Sequence, residues 1–297
     1  MKFRSLLVAL GMLAGVVTAS AQPAGDIRLY CFTSGMMNTT LGFLQNGSPM
    51  EKYLAPVSFF VVKHPKGVVL FDTGNNDKLI TDTNYWPAVF RALVTTPTPS
   101  MTPEVAIDVQ LAKIGVKPED VRYVVMSHLH MDHAGNIGKF KKSTFIIQRD
   151  EIHGAFWPEP GTASSFIPAD FMPLRVEPGT SKNANAQPVI ELAGDHDVFG
   201  DGTLVVKRWP GHTVGSQMMT VKLKNTGTIL LTGDTIFLRE NVEKNIAPNA
   251  GLAWNATEVM RSYEYVRNMM ASEKYDYFTS HDREAWKAMK HAPAFYD

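Results

Sequence analysis

The stretch VVMSHLHMDHAGN, residues 124–136, packs three of the chain's nine histidines and one aspartate into six positions, directly after an apolar run. The β-branched residues that precede it predict a strand ending near Ser127. On an extended segment alternate side chains face the same way, so His128 and His130 can reach one point together. A turn at Asp132-His133 then aims two more donors at a second point nearby. Neutral imidazole and carboxylate suit zinc, at about 2.0–2.2 Å. The bland alternative is a histidine-rich surface turn. Three further donors at the ends of β-like runs argue against it: His212 in PGHTVGSQ, Asp234 closing ILLTGD, and His281 after YDYFTS. An isolated buried carboxylate is costly without a cation, so strand ends of this kind read as a site.

Outward from this stretch, short β-branched or aromatic runs alternate with helical segments. Strands are predicted at 27–33, 57–64, 67–74, 121–128, 143–148, 204–210, 216–223 and 226–234. Helices are predicted at 103–115, 255–273 and 282–290, with Pro103 at a first turn and Gly115 at an end. Residues 75–102 and 154–188 are rich in Pro, Asn and Gly, are long for connections, and read as lids or pocket walls. Because the two kinds of element interleave throughout, residues 22–297 are predicted to form one α/β domain of layered architecture.

Residues 1–21 differ from the rest. Lys2 and Arg4 precede an apolar Leu6–Val17 run and the small residues Ala19-Ser20-Ala21, the pattern of a signal peptide too short to span a bilayer comfortably. The expectation is a periplasmic or secreted protein with no membrane span. Formal charge is zero for the 297 residues and minus two without Lys2 and Arg4. With no basic stripe, nucleic-acid binding has no electrostatic support. A single cysteine, Cys31, excludes an internal disulfide, so stability must come from core burial, to which a bound metal can add.

The set SHLHMDHAG, GHTVGSQ, LLTGD and SHD, with the early SFFVVKHPKGVVLFDTGNND, resembles the metallo-β-lactamase superfamily and, within it, the N-acyl-homoserine lactonase family. The resemblance runs from about residue 27 to 290. It implies a four-layer αββα sandwich and two divalent metal ions, zinc above all. By that similarity His128, His130 and His212 hold one ion, Asp132, His133 and His281 hold the other, and Asp234 bridges them. Asp72 in FDTG matches an aspartate that stands behind such a site and orients a ligand. The implied activity is opening of an acyl-homoserine lactone ring by attack of a metal-bound hydroxide, with Asp132 as proton shuttle and Asp234 as the second catalytic carboxylate. Many relatives of this kind carry a tyrosine three residues after the bridging aspartate, where this chain has Phe237. That departure leaves the substrate open among another lactonase, an arylesterase, a phosphotriesterase, a β-lactamase and a thioester hydrolase. A scavenging protein on the same fold is the alternative outside catalysis. Met36, Met37, Trp86, Phe90, Phe156 and Trp157 are candidates for an apolar substrate pocket around Phe237. The partner is a small lactone or ester, and the resemblance is compatible with a homodimer.

Overall fold

The structure is a computed structural model that describes residues 26–95, 101–175, 186–272 and 274–297; the signal segment lies outside these residues. Two sheets form its centre. The first contains β1 (Arg28–Thr40), β2 (Lys52–His64), β3 (Gly67–Phe71), β4 (Val121–Val125), β5 (Thr144–Gln148) and β6 (Val189–Leu192), in that spatial order. The second runs β11 (Tyr275–Phe278), β10 (Gly227–Leu231), β9 (Gln217–Leu223), β8 (Leu204–Arg208) and β7 (His196–Asp197). The pairs β3–β4, β4–β5, β5–β6 and β10–β11 are parallel.

Side-chain alternation explains the layering. Leu29, Cys31, Phe60, Val62, Val69, Phe71 and Ile146 point inward, where they meet Leu204, Val206, Met219, Val221 and Leu231 of the second sheet. Their neighbours Tyr30, Phe32, Phe59, Val61, Leu70 and Phe145 face the other way, onto Ile107 and Leu111 of the helix Ile107–Ala112 and onto Phe171. The outer face of the second sheet is covered by Val259, Tyr263 and Val266 of the helix Ala256–Ser272. Because most strands are apolar on both faces, both sheets are sandwiched. The result is the expected αββα order, a metallo-β-lactamase fold.

Several elements depart from the sequence reading. The segment 103–115 is not one helix: Pro103–Val105 forms a 3-10 turn, and Ala106, extended at φ −54° and ψ 137°, separates it from Ile107–Ala112. Strand β1 reaches Thr40 through an irregularity between Thr33 and Met36, so the β1–β2 pair projects beyond the sheet. The helix Arg149–Phe156 stands where its sequence, RDEIHGAF, shows more charge than apolar period. Residues 75–95 contain short 3-10 turns rather than pure coil.

The topology collects chemistry at one edge. Asp72 follows directly on β3, while the 128–133 loop, Asp234, His281 and His212 come a few residues after the carboxyl ends of β4, β10, β11 and β8. Ligands in open α/β sheets bind outside such ends, where loops are free of pairing duties.

Candidate metal centre

The loop 126–134 is irregular and is not an extension of β4, so strand alternation does not bring His128 and His130 together. Buried carboxylates take over from ladder hydrogen bonds. Ser127 N donates to Asp72 Oδ1 at 2.6 Å, and Leu129 N donates to Glu151 Oε1 at 2.8 Å. Asp72 itself sits at φ +63°, an unusual conformation for a residue with a side chain, which turns its carboxyl back behind the loop. Gly233, at φ +53°, lies where a Cβ would stand 2.6 Å from Ser127 Cβ; only glycine lets the Asp234 turn come this close.

Four of the five imidazoles are locked from behind. His212 Nδ1 donates to Leu252 O and His281 Nδ1 to Pro56 O, each at 2.7 Å; a carbonyl can only accept, so both protons sit on Nδ1. His133 Nδ1 donates to Asp72 Oδ2 at 2.8 Å. Ser127 Oγ gives its single proton to Asp72 Oδ2 at 2.6 Å, so His128 Nδ1, 2.9 Å from Ser127 Oγ, must donate to that hydroxyl. Each of the four therefore turns its Nε2 toward the cavity. Second partners of this kind fix tautomer and ring orientation in metal sites. His130 differs: its Nδ1 faces inward, 2.9 Å from His212 Nε2.

The inward atoms form two groups, His128–His130–His212 and Asp132–His133–Asp234–His281, each with its donor atoms within 4.8 Å of one another. Asp234 Oδ1 is 3.1 Å from His133 Nε2 and 3.0 Å from His281 Nε2, and Oδ2 is 3.6 Å from His212 Nε2. One carboxylate thus faces both groups. Donors held about 2.0–2.2 Å from a tetrahedral ion stand about 3.3–3.6 Å apart, close to these separations. His128 Nε2, His133 Nε2 and Asp234 Oδ1 are buried and lack a hydrogen-bond partner. The 3.1 Å His133–Asp234 approach is therefore one of charge rather than of hydrogen-bond geometry. Buried polar atoms left without hydrogen-bond partners in both groups fit a pair of divalent ions.

Electrostatics divides the groups. Burial, then neighbouring imidazoles, holds His128 far below its ordinary range and His130 down to about 3; burial also lowers His212. Burial opposes charge on His281 too, but Asp234 and Asp132 outweigh it and push that ring up to about 10. His133 rises well above its usual value for the same reason. Burial disfavours charge on Asp132 and Asp234 as well, yet His133 leads the groups that hold both well below the usual carboxylate range. A site of three neutral imidazoles thus adjoins one in which two ionised carboxylates face two imidazoles that they hold toward the charged form.

Residues 53–273 match the metallo-beta-lactamase superfamily. The chain belongs to that superfamily. It is similar to the N-acyl homoserine lactonase AttM of Azorhizobium caulinodans, at 34% identity over 92% of this chain and 99% of the relative. AttM of Agrobacterium fabrum is 33% identical, over 91% of this chain and 99% of its own length. Among solved structures, an N-acyl homoserine lactone hydrolase with N-hexanoyl-L-homoserine bound at its catalytic metal centre superposes with a TM-score of 0.74 at 24% identity, covering 90% of this chain and 98% of that one. AidC, a dizinc quorum-quenching lactonase, superposes with a TM-score of 0.60 at 16% identity, covering 92% and 94%. These superpositions confirm the metallo-beta-lactamase fold. The superfamily's hydrolases and the two ligand groups together mark the chain as a hydrolase with a site for two divalent metals.

The groups open onto a cavity of about 990 Å³. His130, Asp132, His212, Asp234 and His281 contribute to its lining, and Met37, Trp86, Phe90, Trp157 and Phe237 supply apolar wall. Two of the expected wall residues do not line it. Met36 precedes Met37 on β1 and faces the other side of the strand. Phe156 packs edge-on to Phe171, 5.0 Å away, in the core beneath the first sheet. Unexpected wall comes from Phe166, Leu252 and Trp254. Phe237 is buried with its ring stacked 5.9 Å from His281 and edge-on to His212 at 5.4 Å. Nothing in the local sequence RDEIHG singles out Glu151, which the fold alone brings to the site.

Proposed function

We propose that the protein is a dinuclear metal-dependent lactonase that opens the ring of N-acyl-homoserine lactones. One observation carries the reading: two ligand groups sharing Asp234 lie at the floor of an apolar cavity large enough for a lactone and an acyl chain. The names of the full-length relatives support the substrate class. Zinc, bound by His128, His130 and His212 and by Asp132, His133, Asp234 and His281, would act as a Lewis acid on the carbonyl and lower the pKa of water from 15.7 toward about 7.

The chain's own residues do the rest. Asp132 is ionised and reaches the cavity, so its carboxylate holds the proton lost by the attacking water and returns it to the ring oxygen as the alcohol leaves. The Nδ1 locks on His128, His133, His212 and His281 keep those ligands in one orientation through the cycle. The apolar walls hold the acyl chain and exclude bulk water. Export is part of the same proposal, supported by the 1–21 segment; among the described residues no helix is long and apolar enough to cross a membrane.

The test is parallel hydrolysis of an acyl-homoserine lactone, nitrocefin, lactoylglutathione and paraoxon by mature protein of measured zinc content. Lactone turnover exceeding the other three by at least about 10²-fold in kcat/KM, a difference of about 2.7 kcal/mol, is expected. Hydrolysis of nitrocefin alone would overturn the reading.

A second prediction concerns Phe237. A phenyl ring against the two ligand rings offers the substrate no proton and no hydrogen bond. Phe237→Tyr is expected to raise lactone kcat by about 3–10-fold, the worth of one added hydrogen bond. Stopped-flow ring opening checks this, and unchanged kinetics would mean that the para position faces away from the lactone.

A further inference from the structure

Glu151 lies in the first turn of the helix Arg149–Phe156 and is 1% exposed. Its carboxyl accepts three hydrogen bonds: Leu129 N to Oε1 at 2.8 Å, Thr213 Oγ1 to Oε2 at 2.6 Å, and Gly215 N to Oε2 at 3.2 Å. Leu129 stands between His128 and His130, and Thr213 directly follows His212. A single side chain thus bridges the two loops that carry the three-imidazole group. The fit is tight, since a Cβ on Gly215 would stand 2.1 Å from Glu151 N and 2.6 Å from its Cα. Among the described residues, Glu151 makes no hydrogen bond to the turns of Asp234 or His281. His133 has its own anchor in Asp72.

We propose that Glu151 is a positioning residue that sets metal affinity at the His128–His130–His212 site while leaving the carboxylate site largely untouched. The inference rests on the two-metal reading. Its physical basis is pre-organisation. His130 Nδ1 and His212 Nε2 come from separate loops and meet at 2.9 Å, a spacing that bare loops keep only if something holds them together. A carboxyl gripping both loops holds them together before the ion arrives, so binding spends nothing on gathering them. Glutamine preserves the shape but replaces an acceptor oxygen with an N–H group, which must face at least one of the three donors.

The experiment titrates zinc into metal-stripped wild type, Glu151→Gln and Thr213→Val against a chromophoric chelator, with zinc per chain counted by elemental analysis. His212→Ala and His281→Ala identify which binding step belongs to which site. In Glu151→Gln the step that His212→Ala removes should weaken about 10–100-fold, while the step that His281→Ala removes shifts less than about 3-fold. Thr213→Val, which removes one donor and keeps the carboxyl, should weaken the same step by about 3–10-fold. This milder variant decides the matter if Glu151→Gln does not fold. An unaltered His212-dependent step, or two steps weakened equally, would overturn the proposal. Fewer than two zinc ions on wild type would instead overturn the two-metal reading, and wild type reports that separately.

Discussion

Asp234→Ala is expected to retain one metal equivalent instead of two and to lose lactone hydrolysis by at least about 10³-fold in kcat, roughly 4 kcal/mol of transition-state stabilisation. Among the described residues, its carboxylate approaches both ligand groups, Oδ1 toward His133 and His281, Oδ2 toward His212. Alanine takes away the anion that offsets two cations in a buried space, so each ion would have to be held by the remaining imidazoles and Asp132 alone. Asp132 cannot substitute, because its Oδ2 lies 3.3 Å from His281 Nε2 and serves the second group. Elemental analysis and initial rates on one sample make the check. A variant that kept two metals and full activity would show that the bridge is misassigned.

The donor set was legible in the sequence for a physical reason. Imidazole and carboxylate donors must sit at chain turns that follow strands, and such turns leave a recognisable signature: an apolar run closed by His or Asp, as in ILLTGD and VVMSHLH. The alternation that built both sheets was legible in the same way, since Phe59–Val62 and Val68–Phe71 split between two cores residue by residue. What could not be read was the support. Strand periodicity suggested that His128 and His130 share a face, whereas the loop is irregular and its N–H groups at 127 and 129 end on Asp72 and Glu151, 55 and 22 residues away in sequence. Nothing local in RDEIHG distinguishes a buried clamp from a wet helical face. Two of the pocket-wall expectations failed by the same logic: Met36 parts company with the adjacent Met37 on a strand, and Phe156 is drawn into a core that only the folded chain defines.

Asp72 provides the other large effect, and two substitutions separate its roles. The residue is wholly buried and receives Ser127 N, Ser127 Oγ and His133 Nδ1. In Asp72→Ala three buried donors lose their acceptor, at about 1–3 kcal/mol each, so a loss of about 3 kcal/mol or more in unfolding free energy is expected along with both metals. Asp72→Asn is the sharper variant. Its amide oxygen can still take Ser127 N, but its N–H group now faces Ser127 Oγ and His133 Nδ1. Ser127 Oγ then accepts from the amide and turns its own proton toward His128 Nδ1, which can accept only if the His128 proton moves to Nε2, the atom that should meet the metal. His133 loses its partner at the same time. Asp72→Asn is therefore expected to fold, with a melting temperature nearer to wild type than that of the alanine variant. Its zinc affinity should nevertheless fall about 10–100-fold at both sites, because His128 belongs to one and His133 to the other. Calorimetric unfolding of the metal-free forms and zinc titration of each variant separate the two effects. Normal zinc binding in Asp72→Asn would show that hydrogen-bond polarity behind the ligands does not set their tautomers, and the account of how this loop presents its nitrogens would fail with it.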